Sequence, residues 1–377
     1  MSSHFSRRTI LGAGAGVGAA LGLGALGAPT ATAATASGTG GGEETRSLDE
    51  LYEAALAEGG RFVAYFGGDY ATMHDGIKNA FLSRFPGIDL TVVVDYSKYH
   101  DVRVDNQLAT GTLVPDLVQF QTLHDFPRWD REGHLLRYRP AGFSKVHSGF
   151  KASNGSSVAL IANAFSFVPN VTAVGAADAP RTPLDLLDPK WKGRLVARYP
   201  HDDDAALYLF VRYVERYGWD WAARFAAQDV QFLRGALPLD VTAAGQKDIA
   251  VGVGSSPVAA STPLRLTIPD GGHPFMAWGQ RAAILKRARH PAAAKLYLNW
   301  QLSPERQRVM PWTVRTDVPA QPGLKHVWEY PAADVDGFPE FMADRALVER
   351  WKQTFALYFG EVVGEPTPGW LGLRPGA

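Results

Sequence analysis

The chain has 377 residues, 38 basic and 38 acidic side chains, and no cysteine. The absence of cysteine excludes disulfides, thiolate metal sites, a cysteine nucleophile and a lipid-modified cysteine. The balanced charge gives no indication of a nucleic-acid partner or of an anionic membrane surface. A chain of this length with 46% apolar residues builds a large core, and the length favours two lobes over one.

The first 36 residues have the layout of an export signal. Arg7 and Arg8 precede an apolar run rich in glycine and alanine, and Ala-Xaa-Ala sequences end at Ala33 and Ala36. This pattern predicts a twin-arginine signal peptide over residues 1–36, handled by the twin-arginine translocase. A membrane-spanning helix is the alternative, but the run has no aromatic residue and few large aliphatic ones. We therefore expect a periplasmic or extracellular protein without a lipid anchor.

The first folded elements alternate between helix and strand. Residues 37–46 are rich in glycine and threonine and are predicted to be a flexible linker. Ser47 and Glu50 have the spacing of a capping box, so a helix begins after Ser47, and Gly59-Gly60 ends it. Apolar periodicity then predicts strands at 61–66, 88–95 and 116–120, and helices at 72–85, 99–109 and 123–132. Such alternation is typical of a mostly parallel sheet flanked by helices.

A second alternating set follows further along the chain. Its predicted elements are strands at 158–168, 195–199 and 248–254, a strand pair or one long strand at 275–285, and helices at 205–217 and 291–302. The predicted fold class is therefore α/β, with two α/β lobes whose sheets are mostly parallel. The chain is expected to cross between the lobes more than once.

Four segments carry a family resemblance. They are Leu51–Gly59, Pro115–Val118, Leu187–Leu195 and the stretch from Ala283 to Gln307. In this order and spacing they make the mature chain resemble the solute-binding proteins of ABC importers, in the branch of ferric-iron, thiamine and aminophosphonate binders. The resemblance implies a periplasmic binding protein of the Venus-flytrap type, with two lobes joined by hinge strands. It also implies a small-molecule ligand, an importer permease as partner, a monomer, no cofactor and no enzymatic activity.

The expected domain boundaries follow from this arrangement. Lobe 1 is predicted to comprise residues 47–163 and 271–320, and lobe 2 residues 164–270 and 321–377. Open α/β sheets leave a crevice outside the carboxyl ends of their strands, so two facing lobes form a ligand cleft there. The candidate ligand contacts are Gly68, Asp69, Tyr70, Ser97, Gln121, Thr122, His201, Asp202, Asp203, Ser255, Ser256 and Trp278. Turn formation, helix capping and core packing are the alternative roles for these residues.

Three consecutive aspartates, Asp202 to Asp204, precede the predicted helix at 205–217. Helix capping and the helix dipole explain one or two of these carboxylates. A further carboxylate facing the cleft would bind an amine or hydroxyl groups of an organic solute. Together with His201, the cluster could instead hold a hard metal ion.

The resemblance to ferric-iron binders breaks down at one point. Those members use adjacent tyrosines after the strand that corresponds to 248–253 here, whereas residues 254–262 contain no tyrosine. A small polar solute, including a cationic one, is therefore favoured over ferric iron or a chelated metal. An exported enzyme or a ligand sensor is a further alternative. The enzyme is disfavoured because the chain lacks Gly-Xaa-Ser-Xaa-Gly, His-Glu-Xaa-Xaa-His and phosphate-binding Gly-Lys sequences.

Overall fold

The computed structural model describes residues 42–258 and 262–365. The predicted signal peptide, residues 1–36, lies outside these ranges. The described strands are β1 (Arg61–Gly67), β2 (Asp89–Asp95), β3 (Leu117–Phe120), β4 (Val158–Pro169), β5 (Leu195–Arg198), β6 (Gln231–Leu233), β7 (Ile249–Val253) and β8 (Met276–Ile284). The helices are α1 (Leu48–Ala57), α2 (Asp75–Arg84), α3 (Ser97–Thr110), α4 (Asp125–Arg131), α5 (Asp204–Tyr217), α6 (Trp219–Ala226), α7 (Leu237–Ala243), α8 (Pro291–Leu302), α9 (Pro304–Arg308), α10 (Gly337–Ala343) and α11 (Arg345–Phe359).

The strands form a continuous mixed sheet in the order β2-β1-β3-β8-β4-β7-β5-β6. In lobe 1, β1 pairs in parallel with β2 and β3. In lobe 2, β5 pairs in parallel with β6 and β7. The long strands β4 and β8 are antiparallel to their neighbours and lie between the two parallel groups. The predicted α/β fold class is confirmed, and every antiparallel pair among the described strands involves β4 or β8.

Strand β4 carries the chain from one lobe to the other. Its first part, from Val158 to Phe165, pairs with β8, whereas Ser166 to Pro169 pair with β7. The strand changes partner between Phe165 and Ser166, and its register with β7 shifts one residue later, between Ser166 and Phe167. The chain returns to lobe 1 through β8, which pairs with β3.

Helix α1 illustrates how local sequence sets an element boundary. The Ser47 hydroxyl accepts a hydrogen bond from the Glu50 amide at 3.2 Å, and the Glu50 carboxylate accepts one from the Ser47 amide at 2.7 Å. The predicted capping box is thus confirmed. The buried face of α1, with Leu51 and Ala55, packs against α8 in lobe 1.

Several elements differ from the predictions. Helix α2 begins at Asp75 rather than at Thr72, because residues 70–73 form a turn in which the Met73 amide donates to the Tyr70 carbonyl. Elements α6, β6, α7 and α9 to α11 were not predicted. Helices α10 and α11 pack against α5.

The chain is attached to lobe 1 from Glu43 onward. The Glu43 carboxylate accepts hydrogen bonds from the amides of Gly142 and Ser144, and the Glu44 carboxylate accepts one from the Tyr138 hydroxyl at 2.8 Å. The last residues of the predicted flexible linker, 37–46, therefore have fixed contacts with the body of the protein. Within the described ranges, no helix combines the length and apolar character needed to cross a membrane.

Candidate functional site

A cavity of about 270 Å³ lies between the lobes, at the carboxyl ends of β1, β2, β3 and β5. This is the edge at which open α/β sheets place their ligands. Lobe 1 contributes residues from the loops after its parallel strands, and lobe 2 contributes the segment between β5 and α5. Strands β4 and β8 supply the wall between them. The lining includes Gly67 to Tyr70, Met73, His74, Tyr96 to Lys98, Gln121, Thr122, Ile161, Asn163, Phe165, Arg198, Asp202 to Asp204, Gly235, Ala236, Leu239, Gly254, Trp278 and Gln280.

Arg198 is the charged centre of this cavity. It is the last residue of β5, and only 4% of it is exposed. Its Nη1 donates to Asp203 Oδ2 of lobe 2 at 2.8 Å, and its Nη2 donates to Asp69 Oδ2 of lobe 1 at 2.8 Å. The guanidinium also lies over the Phe165 ring, 5.1 Å from its centroid. Arg198 therefore links the two lobes through two carboxylates.

Asp203 has two roles, of which helix capping was predicted and the ion pair with Arg198 was not. Its Oδ1 accepts from the Ala206 amide at 2.8 Å and so caps α5. Its Oδ2 binds Arg198, and Gln121 Nε2 from lobe 1 donates to its Oδ1 at 3.2 Å. The capping prediction is confirmed, and the carboxylate also forms an ion pair and a contact between the lobes.

The other two aspartates of the triplet have separate cationic partners. Asp202 accepts from Arg234 Nε at 2.7 Å and from Lys98 Nζ of lobe 1. Burial opposes the ionisation of Asp202, but Arg234 and Lys98 outweigh it and hold the pKa of this carboxyl below its ordinary value. Asp204 is paired with Lys352 on α11 at 2.7 Å. The triplet is thus not an open acidic cluster, and each carboxylate has its own counter-ion.

Glycine and serine bring the lobe 1 loops close together. A Cβ on Gly67, at the end of β1, would collide with the Ser97 hydroxyl. This hydroxyl accepts from the Gln121 amide at 3.0 Å and so connects the start of α3 to the end of β3. Tyr70 extends across the cleft, where its hydroxyl donates to Asp240 Oδ1 of α7 at 3.0 Å.

The structure brings most of the predicted contacts together. The predicted residues that line the cavity are Gly68, Asp69, Tyr70, Ser97, Gln121, Thr122, Asp202, Asp203 and Trp278. Trp278 is 2% exposed and forms part of the wall, with its ring edge-on to Phe165 at a centroid distance of 4.9 Å.

Three predicted contacts are placed outside the cavity lining. The His201 ring packs edge-on against Tyr199 at a centroid distance of 5.3 Å, and burial lowers the pKa of its imidazole. Ser255 and Ser256 lie beyond Gly254, which is the residue of this segment that reaches the cavity. The Ser256 hydroxyl instead accepts from the Val258 amide within a turn.

Sequence reasoning missed Arg198, Asn163, Phe165 and Gln280 as wall residues. Arg198 carries a detectable signal, because a charged residue that ends a short apolar strand needs a partner if it is buried. The positions of Asn163 and Phe165 depend on the order of β4 and β8 in the sheet, which has no local signal.

A second group of polar side chains lies outside the cavity lining. Asp101, His124 and Asp125 place ligand atoms close enough to hold a metal ion. Arg128 already provides the positive charge there, donating to Asp101 at 3.0 Å and to Asp125 at 3.1 Å. Burial and the nearby Asp101 raise the pKa of the Asp125 carboxyl, and burial lowers the pKa of His124 to about 4. Within the described ranges, the Asp202–Asp204 run forms no comparable group.

Several solved structures have a similar fold. The structure resembles iron-bound HitA from Pseudomonas aeruginosa, with 18% identity and a TM-score of 0.58 over 78% of this chain and 99% of that one. It resembles AfuA from Actinobacillus pleuropneumoniae with bound fructose-6-phosphate, with 18% identity and a TM-score of 0.62 over 80% and 99% of the two chains. An ABC-transporter substrate-binding protein from Agrobacterium tumefaciens gives 15% identity and a TM-score of 0.63 over 81% and 97%.

These identities establish the fold and leave the ligand open. A search of curated protein sequences gave no match. The model of a family described as bacterial extracellular solute-binding protein matches residues 114–332, which is more than half of the chain. This match covers the segment from β3 through β8, which contains much of both lobes and most of the cavity wall. The resemblance read from the sequence is thereby confirmed: the chain belongs to the bacterial extracellular solute-binding protein family.

Proposed function

We propose that this protein captures a small polar solute in the cavity between its lobes and delivers it to an ABC importer. The observation that carries this proposal is the composition of the cavity wall. Polar side chains from the ends of strands in both lobes surround a volume of about 270 Å³, and Arg198 connects the lobes at its centre. A ligand held there contacts both lobes at once, which couples binding to closure.

The proposed ligand contacts come from both sides of the cleft. Lobe 1 supplies Gly68, Asp69, Tyr70, Ser97, Gln121 and Thr122, and lobe 2 supplies Arg198, Asp202 and Asp203, with Trp278 on the strand between them. The proposed boundaries are 47–163 and 271–320 for lobe 1, and 164–270 and 321–377 for lobe 2. The partner change along β4 supports a boundary near residue 164, because the strand leaves β8 and joins β7 there.

Ferric iron is the second candidate ligand, supported by the fold shared with iron-bound HitA. The chemistry of the cavity favours an organic solute instead. The tyrosines that line it, Tyr70 and Tyr96, have their pKa values raised above the ordinary range by burial and by neighbouring aspartates, which disfavours the phenolate form that binds iron. The aspartates nearby are already paired with arginine or lysine.

We further propose that the protein is exported by the twin-arginine translocase and acts as a soluble monomer in the periplasm or outside the cell. The paired arginines and Ala-Xaa-Ala sequences of the first 36 residues support this route. Binding without chemistry is the proposed activity, since members of this family are binding proteins. An exported enzyme or a ligand sensor would be revealed by conversion of the solute or by a receptor partner.

A ligand screen tests the proposed function. Thermal shift and calorimetry would be run on the mature protein with amino acids, amines, organic acids, sugars, sugar phosphates and ferric citrate. We expect one solute class to raise the melting temperature by mass action, to bind with a stoichiometry of about one, and to be recovered unchanged. A folded protein that binds none of these classes, or that converts the solute, would contradict the proposal.

A further inference from the structure

Two buried N–H groups in the cavity wall have no hydrogen-bond acceptor among the described residues. They are Nε of Arg198 and Nε1 of Trp278, in side chains that are almost completely buried. A buried donor without a partner destabilises the folded protein, so proteins rarely retain one without a reason. Both residues line the cavity and both contact the Phe165 ring. An acceptor group on the bound solute would satisfy these donors.

Only one of the two N–H donors on the Nε–Nη2 edge of Arg198 has an acceptor in the described part of the chain. Nη2 donates to Asp69 Oδ2 at 2.8 Å, whereas Nε beside it has no partner. Carboxylates and phosphoryl groups bind arginine through two parallel N–H donors of this kind. A solute with an acidic group gains both hydrogen bonds if it takes this edge from Asp69.

Displacement of Asp69 from Arg198 creates a second requirement. Burial raises the pKa of the Asp69 carboxyl, so its ionised form is costly without a counter-charge. The nearby bases Lys98 and Arg234 both bind Asp202. A positive group on the solute itself would replace Arg198 as the counter-ion of Asp69.

We propose that the solute is a zwitterion, with an acidic group bound by Arg198 and Trp278 and an ammonium group bound by Asp69. Because Arg198 and Asp69 are in direct contact in the structure, the two charged groups of the solute are separated by only a few bonds. Its carbon atoms would lie against Phe165 and the Trp278 ring. This inference rests on the proposed function and specifies the chemistry of its ligand.

Matched solutes test the need for both charges. Calorimetry on the wild-type protein would compare α-, β- and γ-amino acids with carboxylic acids and amines of the same carbon skeleton, and with neutral sugars. We expect an amino acid to bind at least about tenfold more tightly than either counterpart that lacks one charge. Tighter binding of a carboxylic acid that lacks the amine, with uptake of a proton by the complex, would overturn the inference. Protonation of Asp69 would then remove the need for an ammonium group on the solute. Tightest binding of a sugar, an amine or iron would also overturn it while preserving the proposed function. Failure of every class to bind would contradict the function itself.

Variants test the assigned contacts with the best amino acid from that comparison. Arg198→Lys, Asp69→Asn and Trp278→Phe should each weaken its binding about tenfold or more. Arg315→Lys is the matched control, because Arg315 is also buried and paired with an aspartate, Asp317, but lies outside the cavity lining. Thermal melting without solute identifies any variant that fails to fold. Trp278→Phe keeps an aromatic side chain at this position and removes only the indole N–H donor and part of the ring system. Unchanged affinity in folded Asp69→Asn and Trp278→Phe proteins would overturn the inference.

Discussion

At the scale of single residues, the cleft uses one side chain for several purposes. Asp203 caps α5 with one oxygen and binds Arg198 with the other. The sequence predicted the cap, because aspartate before a helix is a local signal. Its partner Arg198 was not predicted as a site residue, because the contact with Asp69 depends on how the loop after β1 meets the end of β5. Local patterns identify capping, and they do not identify ion pairs between distant segments.

Asparagine at position 203 separates the two roles of this carboxylate. Asp203→Asn keeps a good capping group but removes the charge, so we expect a loss of about 2 kcal/mol in the free energy of unfolding. Asp344→Asn is the control, because Asp344 caps α11 by accepting from the Leu347 amide at an exposed position. Urea unfolding of both variants provides the measurement. Equal, small losses in the two proteins would show that the Arg198 pair contributes nothing.

His100 makes stability depend on pH. The ring is fully buried between Tyr65 and Phe120, donates to the Val93 carbonyl and accepts from Arg103. Burial, with the nearby Arg103 charge, lowers its pKa to about 3. The unfolded chain therefore takes up a proton near pH 6.5 that the folded protein does not, and stability is lost as the pH falls below that value.

Replacing His100 should flatten this acid dependence. His100→Phe retains the stacking but cannot titrate, so its stability should fall less between pH 7 and pH 5, by about 2 kcal/mol relative to the wild type. Urea unfolding at both pH values gives the comparison. The same pH dependence in both proteins would show that His100 is protonated in the folded state.

At the scale of elements, the sequence predicted the helices and strands that have clear start and stop signals. Helix α1 has Ser47 and Glu50 at its start and Gly59 after its end, and β1 has an apolar run between polar neighbours. Strand β6 has only three residues, which is too short for an alternating pattern. The change of partner within β4 was also unpredictable, because it depends on the order of strands in the sheet.

The capping box of α1 has a measurable contribution. Ser47→Ala removes the hydroxyl that accepts from the Glu50 amide and should cost about 1 kcal/mol in the free energy of unfolding. Ser83→Ala, on the exposed side of α2, is the control and should change stability little or increase it, since alanine favours a helix. Chemical denaturation distinguishes the two. A Ser47→Ala protein as stable as the wild type would show that the box contributes nothing to the fold.

At the scale of the whole molecule, the protein consists of two lobes with a polar cavity between them. The polar contacts that cross the cleft include those of Arg198 with Asp69, Lys98 with Asp202, Gln121 with Asp203, and Tyr70 with Asp240. The sequence predicted the lobes and most of the lobe 1 wall, because strand ends can be read locally. The pairing of charges across the cleft required the folded arrangement.

Export makes a prediction for the mature chain. Signal peptidase should cleave after Ala33 or Ala36, leaving a short segment before Glu43, where contacts with lobe 1 begin. Intact-mass measurement of protein secreted by the native host would identify the new N-terminus. Replacement of Arg7 and Arg8 by lysine should abolish export while leaving solute binding by the purified protein unchanged. A secreted protein that retains Met1 would contradict cleavage.

The most direct test of the central claim is a crystal structure of the protein with the solute found by screening. We expect the solute between the lobes, with its acidic group on Arg198 and Trp278 and its ammonium group on Asp69. Density for the solute outside this cavity, or in it without contact to Arg198, would contradict the account of how this protein recognises its ligand.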